Sequence, residues 1–250
     1  MPHSPAPAKP RVTDMSIPPE YRPSRRKPIR RVLRFLMDRI AFRFLAKIDS
    51  IEGAENVPPR GSGIVYFNHT SFADSVAVLY ALPRDVVPVA RFDFTNVPFW
   101  GVFPLLWGTI PIRRGEADRS ALQKAISVLQ AGELLLLAPE GTRRQAMGPA
   151  KDGMAFLAVR TGAPLIPVAV TGMEGFPSVS PRRWAMPGAR IRIGRPFSFR
   201  RSSGRIPRER LRKMTKDAMY RLAELLPPER RGVYADRNRA EAETIEPDSR

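Results

Sequence analysis

Five short apolar runs set the terms for this chain. Residues 63–67, 85–90, 109–112, 134–138 and 164–170 are rich in Val, Ile and Leu, and each is too short for a buried helix. Between and after them lie segments of helical character: 71–82, 117–130 (ending at Ala131-Gly132), 152–160 (ending at Thr161-Gly162) and 207–226. Residues 190–193 add a possible outer strand. Strands alternating with helices predict an α/β fold, a single-domain mixed sheet flanked by helices, while leaving the strand order open. At 250 residues, with 43% hydrophobic residues, the chain can bury one sizeable core.

The flanks read differently. Residues 1–27 are rich in Pro, Ser and Arg and predict a disordered tail. Residues 28–48 predict a basic amphipathic helix. Ile29, Leu33, Leu36, Ile40 and Phe44 share one stripe, with Arg30, Arg31, Arg34 and Asp38 opposite. Ten Lys/Arg and one acid fall between positions 22 and 47. Such a helix either lies in a membrane interface or docks its stripe on the core and leaves the basic face in solvent. Residues 49–226 form the folded domain, and 227–250 read as a polar C-terminal tail.

Charge and composition narrow the chemistry. With 42 Lys+Arg against 24 Asp+Glu, the formal charge is +18, a field that attracts nucleic acid, anionic lipid or phosphorylated small molecules. No helix-turn-helix, zinc module or aromatic–basic RNA signature is recognisable, so nucleic acid is not the expected partner. The absence of cysteine excludes disulfides, thiolate metal sites and a thiol nucleophile. Of the two histidines, His3 lies in the N-terminal tail, so His69 is the one expected in the fold; no metal site is predicted. No secretory leader is recognisable. The uncharged stretch 94–112 is broken by Pro98, Pro104 and Pro111, which argues against a spanning helix and leaves a tunnel-lining or membrane-dipping segment.

Three polar clusters follow predicted strands. Asn68-His69-Thr70-Ser71-Phe72-Ala73-Asp74 leaves one strand and opens a helix. On one continuous helix His69 and Asp74 would sit about 140° apart. They meet only if His69 is in the turn and Asp74 in the first helical turn, with Ser71 as a candidate N-cap. An Asp on one imidazole nitrogen fixes the tautomer and leaves the other as a general base. Pro139-Glu140-Gly141-Thr142-Arg143 follows 134–138, where Gly permits a close turn and Thr142 and Arg143 offer donors to an anion. Taken alone it reads first as a simple strand-end turn with Glu140 paired to Arg143. Gly108 to Gly115 places Arg113 and Arg114 at the end of the third run. Polar clusters at several strand ends point to one shared site at a sheet edge.

With these residues in place, the chain resembles the glycerolipid acyltransferase family that contains the lysophosphatidic acid acyltransferases. Asn68, His69 and Asp74 match its N-H-x-x-x-x-D block, and Gly108 and Arg114 its Gly-led block. Glu140, Gly141, Thr142 and Arg143 match its E-G-T-R block, and Ile166-Pro167-Val168 its later Pro-centred block. The blocks occur in family order over roughly residues 50–195. Arg113 stands where the family often has an acid, and Arg91 where it often has Lys.

The resemblance implies acyl transfer from a thioester, acyl-CoA or acyl carrier protein, to the hydroxyl of a lysophospholipid, 1-acylglycerol 3-phosphate giving phosphatidic acid. His69 would be the base and Asp74 its orienting partner. Arg143 and Arg114, with Gly141, Thr142, Glu140 and Arg91, would form the substrate-binding set, Glu140 shaping its loop. No metal or redox cofactor is needed. The expected setting is the cytoplasmic face of a membrane, bound peripherally through anionic lipid. A different acceptor (glycerol 3-phosphate, another lysolipid or a glycolipid) or a non-catalytic basic binding protein are the alternatives.

Overall fold

The structure is a computed structural model that describes residues 26–91, 102–112, 118–200, 204 and 206–246, with Arg91 and Arg239 as backbone only. Its central strand, β2 (Gly63–Phe67), is buried throughout. Side chains alternate across it: Ile64 and Tyr66 enter one apolar layer, Val65 and Phe67 the other. A strand buried on both faces needs helices on both faces. β2 is flanked by two parallel partners, β5 (Leu134–Leu137) and β6 (Leu165–Thr171). β3 (Val86–Arg91) runs parallel beyond β5, and β4 (Ile110–Ile112) parallel beyond β3. On the other side β7 (Ala189–Ile193) is antiparallel to β6, and β1 (Ile48–Glu52) is parallel to β7. The result is a seven-stranded mixed sheet in the order β1-β7-β6-β2-β5-β3-β4.

One face is covered by α4 (Arg119–Gln130), α5 (Gly153–Thr161) and α7 (Arg208–Glu224), whose buried residues join those of Ile64, Tyr66 and Leu135. The other is covered by α2 (Phe72–Ala81) and by α1 (Lys27–Leu36) with its continuation. Two short helices, α3 (Val102–Trp107) and α6 (Pro181–Ala185), complete the described helices. Because β2, β3, β4, β5 and β6 are parallel, their carboxyl ends open on one edge, where an α/β sheet places its ligands.

The expected mixed sheet flanked by helices is what the chain forms. Three parts differ from the reading of the sequence. First, the amphipathic helix divides its apolar stripe between core and exterior. From Met37 to Leu45 it winds as a π-helix, with Ala46 N–H donating to Ala41 O, so a stripe counted at 3.6 residues per turn drifts off its face. Leu33 and Met37 are buried, but Leu36, Ile40 and Phe44 are exposed beside Val32 and Phe35. Arg30, 1% exposed, points inward and donates from Nε to Trp107 O at 3.0 Å. Arg34 reaches Asp85 Oδ1 at 3.1 Å and the carbonyls of Leu82 and Arg84.

Second, the uncharged stretch contains α3, whose Trp107 is fully buried and donates from Nε1 to Val86 O at 2.8 Å. Residues 94–101 of that stretch, and 1–25 of the expected tail at 1–27, lie outside the described residues. Third, the segment after α7 is not a free tail. Tyr234 and Ile245 are buried, Arg200 N–H donates to Thr244 O, and Asp217 accepts from the Thr244 N–H and hydroxyl. Apolar side chains spaced along a polar segment are enough to fold it back onto α7.

The Tyr66 hydroxyl donates to Ala218 O at 2.7 Å, tying β2 to α7 through a fully buried bond. Tyr66→Phe should cost about 1 kcal/mol, seen as a lower urea midpoint with an unchanged slope.

Candidate active site

The site begins where β2 leaves the sheet. Asn68 is buried, and its side chain pairs with one residue of β6 in both directions, Nδ2 to Val170 O and Val170 N to Oδ1, each at 2.8 Å. A carboxamide thus adds one more rung to the β2–β6 ladder, fixing the direction in which His69 emerges. Ser71 then caps α2, and Asp74 occupies the third helical position, completing a capping box. Asp74 Oδ2 accepts from Thr70 N and Ser71 N at 2.6 Å each and from the Thr70 hydroxyl at 3.2 Å.

The same oxygen faces His69 Nδ1 at 3.4 Å. His69 therefore sits in the turn and Asp74 in the first helical turn, the arrangement the five-residue spacing required. Asp74 is fully buried, while the His69 side chain is 16% exposed and lines a cleft. Neither His69 Nδ1 nor Asp74 Oδ1 has a hydrogen-bond partner elsewhere. A separation of 3.4 Å exceeds the roughly 2.7–3.2 Å of a formed bond. Catalytic pairs commonly tighten only in the reacting complex. With Nδ1 turned to the carboxylate, Nε2 is the nitrogen left for a substrate proton.

β5 is the immediate neighbour of β2, so the loop after it arrives beside His69. Gly141 has φ +66°, in the left-handed region that favours glycine. Gly141, Thr142 and Arg143 line the cleft. Glu140 does not: it is buried, and its Oε2 accepts from Gly148 N–H at 2.7 Å across the base of the loop. Burial pushes the Glu140 carboxyl above its ordinary range, opposed by the Gly148 bond and by the charges of Arg144 and His69. That bond fits the loop-shaping role expected of Glu140. Arg144 N–H donates to His69 O at 2.8 Å, locking the two motifs together.

The cleft has a volume of about 410 Å³, within the usual range for small-ligand sites. Its polar lining comes chiefly from His69 and the 141–143 loop; most of the rest is apolar, including Phe72 and Leu79 of α2, Val89 of β3 and Phe103 of α3. Of the stretch 94–112, Phe103, Pro104, Thr109 and Ile112 line the cleft. Arg91 ends β3, paired with Ile112 of β4, but its side chain is not described, and Arg113 and Arg114 lie outside the described residues. Lys151 was not anticipated. Its ammonium lies 3.5 Å from where a Cβ on Gly141 would stand, and nothing in its Pro- and Gly-bordered context marks it in the sequence. Among the described residues no three His, Asp or Glu side chains gather as a metal-binding group.

Comparison with known proteins agrees with this geometry. The acyltransferase family model matches residues 50–171. The 1-acyl-sn-glycerol-3-phosphate acyltransferase alpha of Mus musculus is 29% identical over 174 residues, covering 67% of this chain and 61% of that protein. The chain thus spans less than two thirds of that relative's length. The 1-acyl-sn-glycerol-3-phosphate acyltransferase of Bacillus subtilis is 26% identical over 172 residues, 68% of this chain and 84% of that protein. The crystal structure of the 1-acyl-sn-glycerophosphate acyltransferase PlsC from Thermotoga maritima superposes with a TM-score of 0.57 at 26% identity, covering 78% of each chain.

Asn68→Ala leaves Val170 N–H and C=O without partners in a buried position, and should cost about 2–4 kcal/mol. Chemical denaturation checks the value; a loss under 0.5 kcal/mol, roughly that of an ordinary surface substitution, would mean that the rung does not hold the site.

Proposed function

We propose that the chain is an acyltransferase of the family whose model it matches, and that it transfers a fatty acyl group from acyl-CoA or acyl carrier protein to the free hydroxyl of 1-acylglycerol 3-phosphate, giving phosphatidic acid. The observation that carries the reading is the His69–Asp74 pair at the polar end of an apolar cleft, with Arg143 on the adjoining loop. His69 Nε2 takes the proton of the acceptor hydroxyl as its oxygen attacks the thioester carbonyl. The carbonyl oxygen carries the negative charge of the tetrahedral intermediate. When the C–S bond breaks, the thiolate leaves and receives the proton from the His69 imidazolium. Asp74 orients the ring and stabilises its charged form. A chain without cysteine has no thiol on which to hold the acyl group, which favours direct transfer.

Arg143 and Thr142 contact the acceptor phosphate, with Arg114 and Arg91 as further candidates and Lys151 close enough to add a third kind of donor. The apolar remainder of the cleft takes an acyl chain. Other acceptors, glycerol 3-phosphate, a different lysolipid or a glycolipid, differ in headgroup and are resolved by a competition panel.

The reading includes peripheral attachment to an anionic membrane, with the cytoplasmic face as the expected side. No described helix is long and apolar enough to cross a membrane. Instead Val32, Leu36, Ile40 and Phe44 repeat every four residues as an exposed apolar row, joined by Phe35 and bordered by Arg39 and Arg43. The row lies beside α3, whose Val102 and Leu105 are also exposed and whose Leu105 carbonyl accepts from Arg26. An apolar row with basic borders suits the boundary between headgroups and acyl chains. Each Lys or Arg at that surface contributes about 1 kcal/mol to anionic lipid binding.

Two measurements test these readings. Purified protein with acyl-CoA and lysophosphatidic acid should release free thiol and form phosphatidic acid. His69→Ala should lower turnover by roughly 10²–10⁴ without unfolding. Equal inactivity of wild type and variant across donors and acceptors would sink the catalytic reading. Separately, Phe35→Glu with Ile40→Glu should abolish sedimentation with anionic vesicles while leaving the melting temperature within a few degrees. Undiminished vesicle binding would place the membrane contact elsewhere.

A further inference from the structure

Residues 227–246 were expected as a tail, yet they press on the loop that carries Arg143. Arg230 is the centre of the contact. Its Nη1 donates to Gln145 O at 2.9 Å and to Gln145 Oε1 at 2.8 Å, and its Nη2 pairs with Glu174 Oε1 at 2.8 Å. Its own carbonyl accepts from Met147 N–H at 2.9 Å, and Val233 N–H donates to Met147 O at 3.1 Å. One side chain thus bridges the loops that follow β5 and β6, while the backbone around it brackets Met147 from both sides.

The approach is close enough to dictate sequence. Gly232 has φ +52°, and a Cβ there would stand 2.0 Å from Met147 O. Only glycine allows the segment to lie this tightly on the loop. Beyond it Tyr234 is buried edge-on to Tyr220 of α7, with ring centroids 5.3 Å apart, which anchors the strap at its far end.

The 140–148 loop is consequently fixed at four successive points. Arg144 N–H is held by His69 O, Gln145 by Arg230, Met147 by residues 230 and 233, and Gly148 N–H by Glu140. Thr142 and Arg143 lie within that closed ring, and the first of the four ties ends on the backbone of His69. Displacing Gln145 therefore moves the anion-binding side chains relative to the base, and an ångström of misplacement in such a site is worth about a hundredfold in rate.

We propose that residues 228–234 form a positioning strap for the anion-binding loop, and that Arg230 is its positioning residue, setting the distance between Arg143 and His69. The proposal rests on the reading of this site as one that binds a phosphate-bearing acceptor. Lysine cannot replace Arg230 fully, because one ammonium cannot fork onto Gln145 and Glu174 together.

The test uses the full chain with Arg230→Ala and Arg230→Lys. In Arg230→Ala, KM for lysophosphatidic acid should rise roughly tenfold or more while kcat falls less, and Arg230→Lys should recover part of the loss. Hydrogen exchange of the Met147 and Gly148 amides should accelerate in Arg230→Ala, with the amides of β2 unchanged. Unchanged KM together with unchanged exchange overturns the proposal, as does a fall in kcat alone that tracks a fall in melting temperature. Should Arg230→Ala fail to fold, Arg230→Lys decides by the same two readouts. If wild type turns over no lysophosphatidic acid, the acyltransferase reading falls by itself. The exchange arm then still decides whether Arg230 holds the loop.

Discussion

An unpaired carboxylate buried like that of Asp74 would be costly. Three donors compensate it: the amides of Thr70 and Ser71 and the Thr70 hydroxyl, all on Oδ2. One of those donors, the Ser71 N–H, is the N-cap amide left open where α2 begins, so compensating the charge and starting the helix are coupled. His69 meets the same carboxylate. The pair is therefore held by secondary structure rather than by a flexible loop, and α2 cannot form in this register without presenting Asp74 to the imidazole. This is why a five-residue spacing that fails on a continuous helix succeeds across a strand–turn–helix junction.

Much of this arrangement was legible because the chemistry is local. The apolar runs became β2, β3, β4, β5 and β6 with boundaries shifted by a residue or so, and Ser71 and Asp74 lie close enough in sequence to read as a cap. Parallel strand ends then brought His69 and the 141–143 loop together without further information. What escaped was non-local or unpatterned. β1, Ile-Asp-Ser-Ile-Glu, is a half-exposed edge strand whose alternation has no strong apolar face. Glu140 was expected to shape its loop, but its partner, Gly148, is marked by no spacing rule. Arg230 lies 85 residues from Gln145, and only Gly232, Tyr234 and Ile245 interrupt the polar surroundings enough to hint at a packed segment.

The amphipathic helix shows how a sound pattern can leave the side open. The stripe could face a membrane or the protein, and the structure divides it: Leu33 and Met37 face the core, while Leu36, Ile40 and Phe44 are exposed, the last two on the π-wound part. Arg30 and Arg34 turn in because the protein offers them acceptors: Asp85 and the carbonyls of Leu82, Arg84 and Trp107. The two alternatives for this helix are not exclusive: one segment docks on the core through Leu33, Met37 and its arginines, and its exposed apolar row is the surface that the proposed membrane contact would use.

The same logic accounts for part of the arginine excess. Arg84 gathers the carbonyls of Pro58, Gly61 and Gly132; Arg183 gathers those of Gly172, Glu174 and Pro187; Arg200 takes Ile245 O and Arg231 takes Leu226 O. A planar guanidinium with five donors suits this work, because turn carbonyls arrive in clusters and at angles that a single ammonium cannot serve. In a chain with no disulfides the contacts of Arg84 and Arg200 join loops distant in sequence, while those of Arg183 and Arg231 brace local turns. A carbonyl, unlike a carboxylate, leaves the cation's formal charge in place. Stapling the loops with arginine therefore tightens the fold and keeps the +18 field together, so the charges that attract anions are also structural.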